Sequence, residues 1–229
     1  MEAVLKVPPV GQPRRYRELV YASIKEAILQ GQFAPGQPLV EEEIARSLNV
    51  SRTPVREALL MLEHDGLIET KYGRGMYVRR LTREDFIDMF TANEVIEPYL
   101  ARRACLYVTN DQIQQMEKVI QMGEEAASNE DVPTFLRSGR EFHALIGEAA
   151  DNRSLAEVVN RNEEKTDLFL MAYGKCLDRE CMFASNREHR LIMQALVRRD
   201  PDEAARLVLF HCQSVRHRFS PLFNHEEEG

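Results

Sequence analysis

No stretch of this 229-residue chain approaches the roughly 20 consecutive apolar residues that a membrane-spanning helix needs, which excludes a membrane role of that kind. The opening run MEAVLKVPPVGQPRR also lacks the uninterrupted apolar segment of a secretory signal, so the protein is expected to act in the cytoplasm. Cysteine is scarce. Cys105, Cys176, Cys181 and Cys212 show no CxxC spacing, and reduced thiols are expected rather than a disulfide framework or a zinc knuckle. There is no internal repeat, and beyond residue 80 almost no β-prone sequence. No HExxH or comparable metal-ligand motif is present either, which leaves an enzyme without its usual signature.

What is present divides the chain in two. A 44% hydrophobic content is enough for a proper core, and the length suits two small domains. Residues 14–80 carry 11 Lys/Arg and 9 Asp/Glu, net +2, whereas residues 81–229 carry 18 against 27, net −9. An overall charge of −7 and a pI near 5.5 argue against a nucleic-acid binder only if the charge is spread evenly, and here it is not. The expected domains are a flexible lead-in at 1–13, a DNA-binding domain at 14–80 and a helical domain at 81–229. The acidic tail Glu226 to Glu228 is expected to be disordered.

Within the first domain, a helix over about Tyr16 to Gln30 should place Leu19, Ile24, Ala27 and Ile28 on one face and end at Gly31. The segment LVEEEIARSLNVSRTPVREALLMLEHDG then reads as helix-turn-helix, with a turn at Asn49 and Ser51 as an N-cap type before a second helix. Pro54 is tolerated in a first turn. Arg52 and Arg56, four apart, share one face near the helix N-terminus, where recognition helices meet base edges, while Val55, Ala58, Leu59 and Leu62 face a core. Next, LIETKYGRGMYVRR gives two β-prone runs around Tyr72, Gly73, Arg74 and Gly75, a basic hairpin wing. A lone arginine pair is more often a solvated face, but here cap, turn and wing coincide.

The strings SRTPVREAL and HDGLIETKYGRGMYV closely resemble the DNA-binding domain of the GntR family of bacterial transcription regulators. That resemblance implies that Ser51, Arg52, Thr53 and Arg56 meet bases and phosphates of a double-stranded operator, with Arg74 and Gly75 bringing the wing toward the minor groove. Many relatives have a DNA-contacting arginine where this chain has Glu42.

From Thr82, a plausible N-cap, helical periodicity runs to the end, with breaks near 108–111, 128–133, 151–154, 177–179 and 200–201. Six or seven helices are expected, so the fold class is mainly α: a winged helix-turn-helix with a small hairpin wing, then an all-α bundle. Three of these helices each carry one histidine on the apolar stripe. They are His143 with Leu136, Ile146 and Ala150; His189 with Ile192, Met193 and Leu196; and His211 with Ala204, Val208 and Val215. One buried imidazole is commonly satisfied by a carbonyl or hydroxyl, but three converging ones suit a divalent ion. Zinc fits such a set, with nickel, copper, manganese or iron as alternatives. His64, His217 and His225 read as peripheral.

A winged helix followed by such a bundle resembles the FadR-type division of the GntR family, whose C-terminal module is the FCD domain. The resemblance implies a homodimer that binds an inverted-repeat operator and senses a small molecule, with an organic acid as the candidate class. It also implies a metal held by the histidines of FHALI, REHRLI and FHCQS, namely His143, His189 and His211. Two departures stand out. Gly139 occupies the place of the family's usual aspartate ligand, and Asn93 that of an arginine able to pair with a carboxylate effector. Glu141, two residues from His143, turns to a different face. The effector pocket is therefore expected around Gly139, Arg140 and Asn93, with three neutral ligands and no carboxylate at the ion. Two alternatives remain at this point: a metallohydrolase using a three-histidine site, and a regulator whose bundle only dimerises.

Overall fold

The computed structural model describes residues 13–172 and 177–219. Cys176, His225, the acidic tail and nearly all of the expected lead-in lie outside them. The chain separates into two compact units, one made of residues up to 28 together with 32–79, the other of 29–31 and the chain from Arg80 onward.

In the first unit, α1 (Pro13–Leu29), α2 (Glu41–Ser47) and α3 (Arg52–His64) accompany three short strands, β1 (Pro38–Leu39), β2 (Ile68–Lys71) and β3 (Gly75–Val78). Asn49 makes the α2–α3 turn at φ +52°, a left-handed conformation that asparagine tolerates better than most residues. Val55, Ala58, Leu59 and Leu62 are fully buried, as the helical stripe predicts, and Ile24, Ile28, Leu67 and Val78 are buried in the same unit. Leu19 does not join them. It is 60% exposed, and Val20 takes the core position in step with Ile24 and Ile28 at four-residue spacing.

The wing is more than a hairpin. β3 pairs antiparallel with β2 (Glu69 opposite Tyr77) and also with β1 (Leu39 opposite Met76), giving the order β1-β3-β2. A two-residue strand has no periodicity to betray it in a sequence. Between β2 and β3 the turn runs through Gly73 at φ +70° and Gly75 at φ +96°, a backbone that glycine adopts without strain. Ser51 does occupy the N-cap of α3, but its hydroxyl makes no capping bond.

The second unit holds six helices among the described residues: α4 (Arg83–Tyr107), α5 (Asn110–Ser128), α6 (Val132–Ala149), α7 (Arg153–Ala172), α8 (Arg179–Val197) and α9 (Pro201–Phe219). Thr82 caps α4 in a full capping box with Asp85, and Thr109 does the same for α5 with Gln112, so both starts are fixed locally. Helix α4 lies along α9, and α5 along both α6 and α8. No described helix is long and apolar enough to cross a membrane.

The bundle interior has three layers. One apolar cluster gathers Leu100, Ala104, Ile120, Ile146, Leu196 and Val208; the other gathers Phe86, Phe90, Leu136, Phe169, Met182 and Phe219. Along α4 and α8 the buried polar residues fall between the parts of the helix that feed these two clusters, Asn93 and Glu97 on the first and Ser185, Asn186 and His189 on the second, while on α9 His211 lies between Val208 and Cys212 at the border of the first cluster. A polar layer at mid-bundle is costly unless its members satisfy one another.

Candidate functional site

The three predicted histidines meet in that layer. His143 of α6, His189 of α8 and His211 of α9 are each about 95% buried, and their ligating atoms all lie within 4.8 Å of one another. His189 Nε2 and His211 Nε2 are 3.2 Å apart. Phe142 stacks on the His189 ring, with centroids 4.6 Å apart.

Two carboxylates that the sequence reading missed hold the rings from behind. Glu97 Oε2 is 2.5 Å from His143 Nδ1, and Glu188 Oε2 is 2.6 Å from His211 Nδ1. Each Nδ1 proton is thereby donated to a carboxylate, which leaves Nε2 as the atom able to ligate when it carries no proton of its own. Glu97 also accepts from the Cys212 thiol at 3.4 Å, and Glu188 accepts from Arg218 at 2.8 Å. Burial works against charge on Glu97, but the His143 charge and hydrogen bond hold its carboxyl below the usual range. Burial likewise opposes protonation of His143, yet the Glu97 and Glu163 charges raise it to about 9, so an ion binding there at neutral pH would displace the proton on Nε2. His189 is pushed well below its ordinary value by burial and then by the neighbouring imidazoles, so it stays neutral and able to ligate.

Beside the histidines opens a small cavity of about 60 Å³, lined among others by Gly139, Arg140, Glu163, Thr166 and Asp167. A Cβ added at Gly139 would sit 3.6 Å from His189 Cε1, an ordinary contact. The position therefore faces the histidines, as the helical spacing from His143 requires, and the glycine leaves space that a side chain there would fill. Glu141 is exposed, as expected.

The structure overturns the expectation that carboxylates are missing here. Glu97, Glu163 and Asp167 all line the cavity, and Glu163 lies with Glu97 and His143 in a second group able to hold an ion. Burial pushes both Glu163 and Asp167 up to about 7, against the pull of His143 on the first and of Arg140 on the second. Arg140 lines the cavity, ion-paired to Asp167. Asn93 is corrected too: it stands behind the wall, donating to Glu163 Oε1 at 2.9 Å and accepting from Asn162 at 2.8 Å. The Thr166 hydroxyl is buried without a partner among the described residues, a group with hydrogen-bonding capacity to spare.

The donor set fits a divalent ion. Three buried imidazoles converge, two have their Nδ1 atoms occupied by carboxylates, and the third is kept neutral by its surroundings.

On the first unit, Ser51, Arg52, Thr53 and Arg56 are exposed at the start of α3, and Arg74 and Gly75 are exposed at the wing. Glu41, the first residue of α2, pairs with both arginines: Arg56 donates through Nε and Nη2 at 3.0 Å each, and Arg52 through Nη2 at 3.3 Å. Those hydrogen bonds, that of Arg56 foremost, hold the Glu41 carboxyl below its ordinary range despite some burial. Glu42 pairs with Arg46 on its own helix at 3.2 Å.

Comparison with known proteins agrees with this two-part reading. Residues 16–78 match the bacterial regulatory proteins of the gntR family, and residues 88–214 match the FCD domain. The Uxu operon transcriptional regulator of Escherichia coli K12 is 31% identical over 232 aligned positions, covering 92% of this chain and 89% of that protein. The HTH-type transcriptional repressor RspR of the same strain is 29% identical, covering 86% and 85%. Among solved structures, E. coli McbR/YncC superposes with a TM-score of 0.80 at 17% identity, over 90% of this chain and 98% of that one. A GntR-type regulator from Rhodococcus sp. RHA1 superposes at 0.78 with 22% identity, over 89% and 97%. The matched families and relatives are transcriptional regulators, not enzymes, which removes the metallohydrolase alternative.

Proposed function

The chain belongs to the GntR family of bacterial regulatory proteins and carries an FCD domain, and from that premise we propose how a DNA-binding regulator of this type works here. Residues 14–80 form the DNA-binding domain. Arg52, Thr53 and Arg56 reach into the major groove from the start of α3, and the Ser51 hydroxyl, which caps nothing, meets a phosphate. Arg74 and Gly75 bring the wing to the adjacent backbone.

Residues 81–229 sense and dimerise. Val95, Tyr99 and Leu106 are 73%, 46% and 63% exposed, and their spacing puts them on one face of α4, an apolar stripe that a second copy would cover. A two-fold dimer implies an inverted-repeat operator. His143, His189 and His211 hold one divalent ion, which supplies a Lewis-acidic centre when bound; zinc suits the three imidazoles. The effector lies in the adjoining cavity, against the gap at Gly139 and the Thr166 hydroxyl, with Arg140 and Glu163 to orient it.

The observation that carries this reading is the buried imidazole triad with its two carboxylate props. Elemental analysis of protein purified without chelators tests it: one divalent ion per chain in the wild type and in the exposed-site variant His217→Ala, and loss of stoichiometric metal in His143→Ala, His189→Ala and His211→Ala. A wild type without metal would leave the histidines structural and dimerisation as the task of the bundle.

A further inference from the structure

The sequence singles out Arg52 and Arg56 as base-reading residues, yet in the structure neither stands alone. Arg56 lays the side edge of its guanidinium against Glu41, with Nε on Oε1 and Nη2 on Oε2, both at 3.0 Å. Arg52 shares the same Oε2 through its Nη2 at 3.3 Å. An arginine fork has five N–H groups in one plane, and side-on pairing uses two of them. What remains on Arg56 is the end edge of Nη1 and the second Nη2 proton, which has no other protein partner among the described residues. That edge matches O6 and N7 of guanine.

We propose that Glu41 is a positioning residue for base recognition: it clamps Arg56, and more loosely Arg52, so that the arginine fork meets a guanine already oriented. This rests on the DNA-binding reading of α3. The carboxylate is placed to do it. Glu41 opens α2, where the helix dipole favours a negative charge, and its side chain is only 22% exposed beside arginines exposed by 60% and 61%. Both ends of the clamp stand on helices joined by a tight turn, so backbone motion does not loosen it.

Two consequences follow. An arginine held in its reading pose loses less rotamer freedom on binding, which favours the matched base. A carboxylate facing the phosphates also lowers affinity for DNA of any sequence, because non-specific binding is governed by net charge at the contact. Glu41 therefore sharpens discrimination from both sides. Glu42 offers the comparison. It carries the same charge on the same helix but pairs with Arg46 and does not reach α3.

The test uses the full-length protein in a random-sequence DNA selection, followed by titration of the selected site and of a scrambled duplex at fixed salt. Glu41→Gln should lower the ratio of specific to scrambled affinity about tenfold and blur the preference at one base pair in each half-site, the one also blurred by Arg56→Lys. Glu42→Gln should raise both affinities together by a few fold and leave the ratio within twofold. Glu41→Asp keeps the charge but withdraws it by one methylene, and should also lower the ratio; it decides the matter if Glu41→Gln fails to fold. An unchanged ratio in the Glu41 variants, or the same change in Glu41→Gln as in Glu42→Gln, overturns the proposal. A wild type that enriches no sequence overturns the DNA-binding reading itself, which is a different result.

Discussion

The Glu41–Arg56 pair in the first unit and the Glu97–His143 pair in the bundle both join a carboxylate to a nitrogen base, and they behave as opposites. The first is short-range, formed by neighbouring helices and open to water on the arginine side. Exposed pairs of this kind add little to stability, so this one orients its arginine without holding the fold together. The second spans 46 residues of sequence, with both side chains less than 5% exposed. There the low dielectric makes pairing obligatory, since either group alone would be a buried group without its partner. The same chemistry is thus optional to the fold where it is wet and obligatory where it is dry.

Removing the buried carboxylate is the strongest way to break the contrast. Glu97→Ala strands both the His143 Nδ1 proton and the Cys212 thiol, and should destabilise the metal-free bundle by about 3–5 kcal/mol in urea unfolding. It should also weaken metal binding about 10- to 100-fold, as loss of an outer-shell partner does. On the wet side, Arg52→Ala and Arg56→Ala should each cost operator binding about 1–3 kcal/mol in gel-shift titration while leaving the unfolding midpoint nearly unchanged. If either arginine variant unfolds as readily as Glu97→Ala, the exposed pair is structural after all. The smallest effect is expected from Gly139→Asp. Its Cβ fits beside His189 without a clash, so the variant should fold normally and tighten metal binding several-fold in chelator competition through an added anionic ligand. Unchanged affinity there would mean that the site is already supplied with carboxylate by Glu163.

The two units were not equally legible in the sequence. The helix-turn-helix is written locally, since the turn at Asn49, the arginines of α3 and the stripe of Val55, Ala58, Leu59 and Leu62 all lie within fifteen residues. What escaped was β1, too short to show a period, and the choice between Leu19 and Val20 for the core, which periodicity alone leaves open. In the bundle the histidines were found because a polar residue on an apolar stripe is conspicuous. Glu97 obeys the same rule, standing in step with Phe86, Phe90, Asn93, Leu100 and Ala104, and Asp167 stands three residues before the buried Leu170. Acidic residues are so often solvated that a place on the stripe does not by itself mark them as buried. Glu188 gave no such signal, because its role depends on the approach of α9 to α8.

The layered bundle interior also bears on how such a protein diverges. With polar residues gathered in one layer, a substitution at Gly139 alters the room in the cavity without touching the apolar clusters that stack the helices. The scaffold can therefore persist while its sequence changes, and a solved structure sharing 17% of its residues still superposes with a TM-score of 0.80.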